Sequence, residues 1–289
     1  MGYELVKILY AKNATVHLAA RSEDKAHKAI SSITEAVKDS KGSVKFLKLD
    51  LSDLTTIKAS AEAFLANEKR LDWLCNNAGV MVPPAGSKSP QGHELQLATN
   101  CLGPWLFTQY LTPLLIATAA HAPPNSVRVS WAGSIGIDAR SPTGGITMND
   151  SGAPNFEGQA QDTIYGATKA GNLFYAVEYG KRCKKDGIVS TCFNPGNLKT
   201  ELQRHLPAFQ ASILGLILYP AKFGAYTELW TGFSPKLTTK DNGAYIAPWG
   251  RVSSVRADKT ESLKTKEEGG NGKAALFWDW TEKEVQKYL

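Results

Sequence analysis

The sequence predicts an α/β protein with a doubly wound parallel sheet and helices on both faces. Three observations carry this. Short apolar, β-branched runs alternate with segments of helical periodicity along the first two thirds of the chain. Polar clusters stand at the ends of these runs, where open α/β sheets bind ligands. The composition is that of an ordinary globular chain, 289 residues with 43% hydrophobic and 21% charged, which argues against disordered, collagen-like and coiled-coil readings. A chain of this length buries a core without disulfide or metal staples.

Thr15 to Ala20 reads as a strand, and Ser22 as the N-cap of a helix with Ala26, Ala29, Ile30, Ile33 and Val37 at helical spacing. Val44 to Leu49 is a second strand. Asp53 caps the next helix, with Leu54, Ile57, Ala61, Phe64 and Leu65 on one face. Leu71 to Cys75 is a strand ending in Asn76-Asn77-Ala78-Gly79, and a long helix is expected over about 93–119. Val127 to Trp131 is a strand, Thr163 to Arg182 a helix, and Gly187 to Phe193 a strand. Beyond Pro195 the pattern loosens. Residues 198–220 are helix-prone but irregular, 234–242 and 251–272 read as loops, Gly243 to Ala247 as a last strand, and Trp280 to Leu289 as a terminal helix. With no internal repeat, one domain over 1–289 is expected.

Lys and Arg number 33 against 27 Asp and Glu, a net charge of +6 spread along the chain, so no basic arm points to nucleic acid. Cys75, Cys101, Cys183 and Cys192 form no CxxC pair, and buried free thiols are expected rather than a zinc site. No signal peptide is expected, and no apolar run reaches the roughly 18 residues of a spanning helix.

Tyr165 and Lys169 lie four residues apart, on one face of a helix. A neighbouring cation favours the phenolate and lowers the Tyr pKa, so such a phenol can act as general acid or base. The pair alone is weak, because Tyr3 and Lys7 have the same spacing on what reads as a surface turn. Context strengthens it. Ser134 follows a strand, Asn100 lies on the long helix, and Asn76 to Gly79 and Asn194-Pro195-Gly196 with Thr200 end two more strands. Successive parallel strands would bring these ends to one crevice.

On these residues, in this order and spacing, the sequence resembles the short-chain dehydrogenase/reductase family over nearly its whole length. The carriers are Asn77-Ala78-Gly79, Asn100, Arg128 to Ser134, Tyr165-x-x-x-Lys169, and Pro195-Gly196 with Thr200. Asn242 to Gly250 and the Trp278-Asp-Trp-Thr-Glu stretch resemble the retinol dehydrogenase and WW-domain oxidoreductase branch. The resemblance implies a Rossmann-like fold and a set of roles. Tyr165 exchanges a proton with the substrate oxygen as hydride moves to or from the nicotinamide. Lys169 lowers the Tyr165 pKa and binds the nicotinamide ribose. Ser134 hydrogen-bonds the carbonyl oxygen, whereas Ser130 sits inside its strand. Asn100 holds a relay water behind Lys169, with a kink or cap role as the competing reading. Thr200 bonds the carboxamide or caps the following helix.

For the cofactor, Arg21 stands where NAD-dependent relatives carry a carboxylate, so the resemblance favours NADP over NAD. Asp50-Leu51 matches the adenine contact, with turn formation beside Asp53 as the rival role. The family opens on a strand and a TGxxxGxG loop. Here Gly2 matches the last glycine and Glu4 to Tyr10 the first helix, so the first strand and loop are missing. The reading is an N-terminally truncated member, through an internal start or a degraded gene, expected to bind NADP poorly and to be unstable.

The stretch after Pro195 matches the family's substrate lid, over 198–233. Leu198, Leu202, Leu206, Phe209, Ile213, Leu214, Leu216, Ile217, Leu218 and Tyr219 suit a lipophilic ketone, aldehyde or alcohol; sheet cover or a homodimer contact is the rival role. Peripheral membrane contact is compatible with this stretch but not demanded by it, and a cytoplasmic location is expected. The alternative function is a catalytically impaired relative that binds or regulates.

Overall fold

The computed structural model describes residues 1–199 and 218–289. Thr200 and the apolar positions Leu202 to Ile217 of the expected lid lie outside the described residues.

The chain enters through α1 (Gly2–Ala11) and alternates β1 (Thr15–Ala20), α2 (Glu23–Ala36), β2 (Ser43–Lys48), α3 (Leu54–Asn67) and β3 (Trp73–Asn76). The two caps fall where the sequence places them. Ser22 accepts from the Lys25 N–H and Asp53 from the Thr55 N–H, each satisfying a donor that the first turn leaves free. The long helix expected over 93–119 is interrupted. A short α4 (Leu95–Leu97), capped by the Glu94 carboxylate, runs into a π turn (Ala98–Leu102) and then α5 (Gly103–Ala119). After β4 (Arg128–Ala132), the one-turn α6 (Gly136–Ala139), α7 (Gln161–Arg182) and β5 (Val189–Phe193) come β6 (Leu198–Lys199), β7 (Tyr219–Pro220) and α8 (Ala221–Phe233). β8 (Tyr245–Ala247), β9 (Arg251–Ser253), α9 (Ala257–Leu263) and α10 (Lys273–Val285) complete it. Residues 251–272 are therefore not all loop, and the terminal helix starts at Lys273 rather than Trp280. Sequence patterning misses β9 and α9 because each is too short to show a period.

The strands form a mostly parallel arrangement. β1 and β2 pair with Thr15 opposite Ser43, and a second sheet runs β3-β4-β5-β8-β9, parallel as far as β8 and antiparallel at β9. Among the described residues no ladder joins β1 to β3. Helices cover both faces: α1, α2 and α8 on one, α3, α5, α7 and α10 on the other.

α7 is buried from Ile164 through Gly180, so it is the central pillar rather than a surface helix. Tyr175 stacks on Phe277 of α10 at 5.1 Å, and Trp105 of α5 meets Trp278 edge-on at 5.2 Å. Each fully buried ring contributes about 1.5–3 kcal/mol, so this seam fixes α7 against both neighbours. Gly166 lets the backbone approach: a Cβ there would stand 2.5 Å from the Ser141 nitrogen. The branch-like stretch 242–250 is also structural. Asn242 donates to the carbonyls of Gly180 and Ile188 and accepts from the Ser190 N–H.

The cysteines are free, with Cys101, Cys183 and Cys192 buried. The Tyr3–Lys7 pair lies on α1, not on a surface turn, and Tyr3 shares a hydrogen bond with Ser32.

Glu228 of α8 is fully buried beside Cys75, and burial pushes its carboxyl up to about 8. A folded-state value above the ordinary one means stability is fully present below about 4.5 and is lost as pH rises through about 8. Glu228→Gln is expected to remove that loss. Denaturant titrations should show the variant gaining on the parent by a few kcal/mol between pH 5 and 9; parallel curves would refute the assignment.

Candidate active site

The carboxyl ends of β3 and β4 bring Gly79, Asn100, Ser134, Tyr165 and Lys169 together. Tyr165 and Lys169 stand one turn apart on α7, 9% and 4% exposed. The Lys169 ammonium sits 5.6 Å from the Tyr165 ring centre and donates to the carbonyl of Ala132, the last residue of β4, at 2.9 Å. Two residues further, Ser134 turns back. Its Oγ accepts from the Gly136 N–H at 3.1 Å, and it shares the surroundings of Gly136 with Tyr165: a Cβ there would stand 3.4 Å from Ser134 Oγ and 3.6 Å from the Tyr165 ring. Ser130 is inside β4, where it accepts from the Trp73 indole and donates to Thr231, so it is structural.

The electrostatics correct one expectation. The resemblance gives Lys169 the role of lowering the Tyr165 pKa. Burial instead pushes the phenol up to about 12, opposed by the neighbouring Ser134 hydroxyl. Burial also brings Lys169 down to about 8. Desolvation outweighs an ammonium that lies 5.6 Å from the ring centre. Near pH 7 the pair is a neutral phenol beside a cation, a state suited to giving a proton.

Asn100 lies at the middle of the π turn and is fully buried. Its amide donates to the Val80 carbonyl and to Thr168 Oγ, and its oxygen accepts from the Val80 N–H at 2.8 Å. Thr168 in turn donates to the Tyr165 carbonyl. Asn100 therefore ties the strand-end loop of β3 to the turn of α7 that carries Tyr165. The π turn is what aims it, as such turns often do at functional sites.

Gly79 closes the cleft floor. A Cβ there would stand 2.8 Å from Asn100 Oδ1 and 3.4 Å from the Lys169 ammonium. Gly79→Ala is expected to displace one of these side chains and to cost about 1–3 kcal/mol, the usual penalty of overpacking. Denaturation midpoints and NADPH titrations check it; a variant unchanged in both would show that the cleft has room to spare.

The other expected contacts are placed as follows. Arg21 is exposed just past β1, and its carbonyl accepts from Lys48 at 2.7 Å. Asp50 accepts from the Ser52 N–H and hydroxyl in a turn, and Leu51 packs against the core and closely under Gly103. Gly2 begins α1 with the Asn77 amide 3.0 Å from where its Cβ would be, and Ala78 is exposed. Pro195 and Gly196 form a turn that Asn194 closes by accepting from the Gly196 N–H.

Two site residues escape sequence reasoning. Asn172, one turn beyond Lys169, donates to the same Ala132 carbonyl at 2.8 Å. Its helical spacing was a usable signal. Tyr245 of β8 donates to the Ser134 carbonyl at 3.1 Å across 111 residues, and no local pattern announces that. Among the described residues no His, Cys, Asp and Glu group could hold a metal, and no helix is long and apolar enough to cross a membrane.

This chain is similar to known proteins over most of its length. The family model for short chain dehydrogenase matches residues 1–122. A short-chain dehydrogenase/reductase of Phomopsis amygdali is 45% identical over all of this chain and 87% of its own length. The short-chain dehydrogenase/reductase iacJ of Pestalotiopsis fici is 46% identical, again over all of this chain and 87% of its own. Among solved structures, the Pseudomonas aeruginosa RhlG/NADP active-site complex superposes with a TM-score of 0.64 at 21% identity, covering 85% of this chain and 89% of that one.

Proposed function

The chain belongs to the short-chain dehydrogenase/reductase family, and from that premise we propose that it is an NADP-dependent oxidoreductase interconverting a lipophilic ketone or aldehyde and its alcohol. Tyr165 is the general acid or base. The observation that carries this reading is the placement of Ser134 Oγ and the Tyr165 ring together at Gly136, with the buried Lys169 ammonium 5.6 Å from the ring centre.

In the reducing direction the neutral Tyr165 phenol gives its proton to the substrate oxygen. Ser134 bonds the same oxygen, where negative charge develops. Lys169, a cation below about pH 8, steadies the phenolate left behind. In the reverse direction Tyr165 would take the proton as a phenolate, the form that burial disfavours. When bound, the nicotinamide supplies or takes the hydride. The residues that would hold such a dinucleotide are Lys169, packed close against Gly79, and Arg21, which is exposed to meet a ribose phosphate. Asn77, Ala78 and the Pro195–Gly196 turn line the same sheet edge. The relay role of Asn100, the carboxamide contact of Thr200 and the lid role of 198–233 belong to this proposal as well. So does an apolar substrate, for which the exposed Ile135, Tyr219 and Trp249 speak, Ile135 directly after Ser134 and Trp249 packed on Gly196. The close approach of Ser134, Tyr165 and Lys169 speaks against a non-catalytic binding role.

NADPH consumption against a panel of lipophilic ketones and aldehydes tests the reading; binding of NADPH without turnover of any of them would defeat it. Arg21→Asp is expected to shift the ratio of NADPH to NADH dissociation constants by about tenfold toward NADH, the value of one exposed charge-assisted contact. An unchanged ratio would remove Arg21 from coenzyme choice.

A further inference from the structure

The segment that begins at Ser134 is held from far along the chain. Tyr245 bonds the Ser134 carbonyl. The Arg256 N–H donates to the Asp138 carboxylate at 2.9 Å, and the Arg256 guanidinium to the Asp138 carbonyl at 2.7 Å. Lys259 donates to the Pro142 carbonyl at 2.6 Å, and the Gly144 N–H donates to Asp258 at 2.8 Å. The same Asp258 carboxylate pairs with Lys259 at 2.6 Å and with Arg256 at 3.0 Å. One acidic side chain thus collects two cations and one loop amide, and both cations also grip carbonyls of the 134–144 segment. That segment rests on α7 at the residue after Tyr165, where Gly166 admits the Ser141 backbone.

The Lys259 side chain is fully buried. A buried ion pair is a poor way to add stability, because desolvating the charges offsets their attraction. What it does supply is a fixed direction. We propose that Arg256, Asp258 and Lys259 are positioning residues for the reaction: they act through the 134–144 segment to hold the Ser134 hydroxyl against Tyr165. This rests on the reading of Ser134 and Tyr165 given above. The 134–144 backbone receives these bonds at Asp138, Pro142 and Gly144, and Tyr245 adds a further one at Ser134. The small helix that follows Ser134 is too short to hold itself. Burial would raise the Asp258 carboxyl, but hydrogen bonds from Arg256, Lys259 and the Gly144 N–H outweigh it and hold it well below the usual range. The carboxylate stays ionised across any working pH, so the clamp does not titrate away.

Lys259→Met removes the grip on Pro142 while leaving Asp258 paired with Arg256 and Gly144. In the full chain, kcat is expected to fall about tenfold with KM within twofold, as small displacements of reacting groups do. The denaturation midpoint should hold. Amide hydrogen exchange should quicken over 134–145 and not in α7. Arg256→Ala, at a half-exposed side chain, should show the same split and carries the test if Lys259→Met does not fold. Wild-type kcat in both variants, or kcat falling only in step with the midpoint, or unaltered exchange over 134–145, overturns the proposal. Ser134→Ala separates the two readings. If it keeps the parent rate, the functional reading fails; if it is inactive while both clamp variants are normal, only the positioning role fails.

Discussion

Tyr165→Phe is expected to lower carbonyl reduction by about 10³-fold or more, at the upper part of what positioned proton transfer contributes. The phenol shares the surroundings of Gly136 with the Ser134 hydroxyl. Phenylalanine keeps the ring in its 9% exposed site, so no cavity forms, and the fold should lose only about 1 kcal/mol for one hydrogen bond. The variant should still bind NADPH. Single-turnover reduction with saturating coenzyme is the measurement, and retained turnover would take Tyr165 out of its role. In the parent enzyme the phenol stays protonated until far above neutrality. The rate should therefore be flat around pH 7 and fall as pH rises through about 8, where Lys169 loses its proton. A rate that instead rose through that range would identify a different acid.

Lys169→Met should separate activity from stability. In the reducing step the phenolate forms beside the ammonium. At 5.6 Å from the ring centre, and at an effective dielectric constant of about 20, that attraction is on the order of 3 kcal/mol, or about a hundredfold in rate. The same ammonium is a burden to the folded state. Its value lies near 8, below the ordinary 10.5, so stability is fully present above about 10.5 and is lost as pH falls through 8. Methionine removes the buried charge and fills a similar volume. The Ala132 carbonyl keeps its bond from Asn172. At pH 7 the variant should be about 1–3 kcal/mol more stable than the parent while losing about a hundredfold in turnover. Paired denaturation and rate measurements check both signs. A variant less stable than the parent would mean that the Lys169 hydrogen bond outweighs its desolvation.

Much of this fold and site is legible in the sequence. The strands and helices through β5 follow from apolar periodicity and from caps such as Ser22 and Asp53, all local signals. Tyr165 and Lys169 could be paired because a helix fixes what lies one turn away. Ser134 could be separated from Ser130 because a strand interior faces neighbours while a strand end faces a crevice. Less was legible where partners are distant. The π turn that aims Asn100 does not show in the spacing of residues 93–119, and β9 and α9 are too short to leave a pattern.

The sequence alone carries the alternation of strands and helices and the Tyr165–Lys169 pair, which depend on neighbours within a few residues, and the family, which rests on motifs in order from Asn77 to Gly196. Only the tertiary structure decided that Tyr165 is driven up rather than down, since burial depends on everything packed around α7. It alone placed Tyr245, Arg256, Asp258 and Lys259 on the Ser134 segment. Contacts across more than a hundred residues are made by packing, and packing leaves no period in the chain.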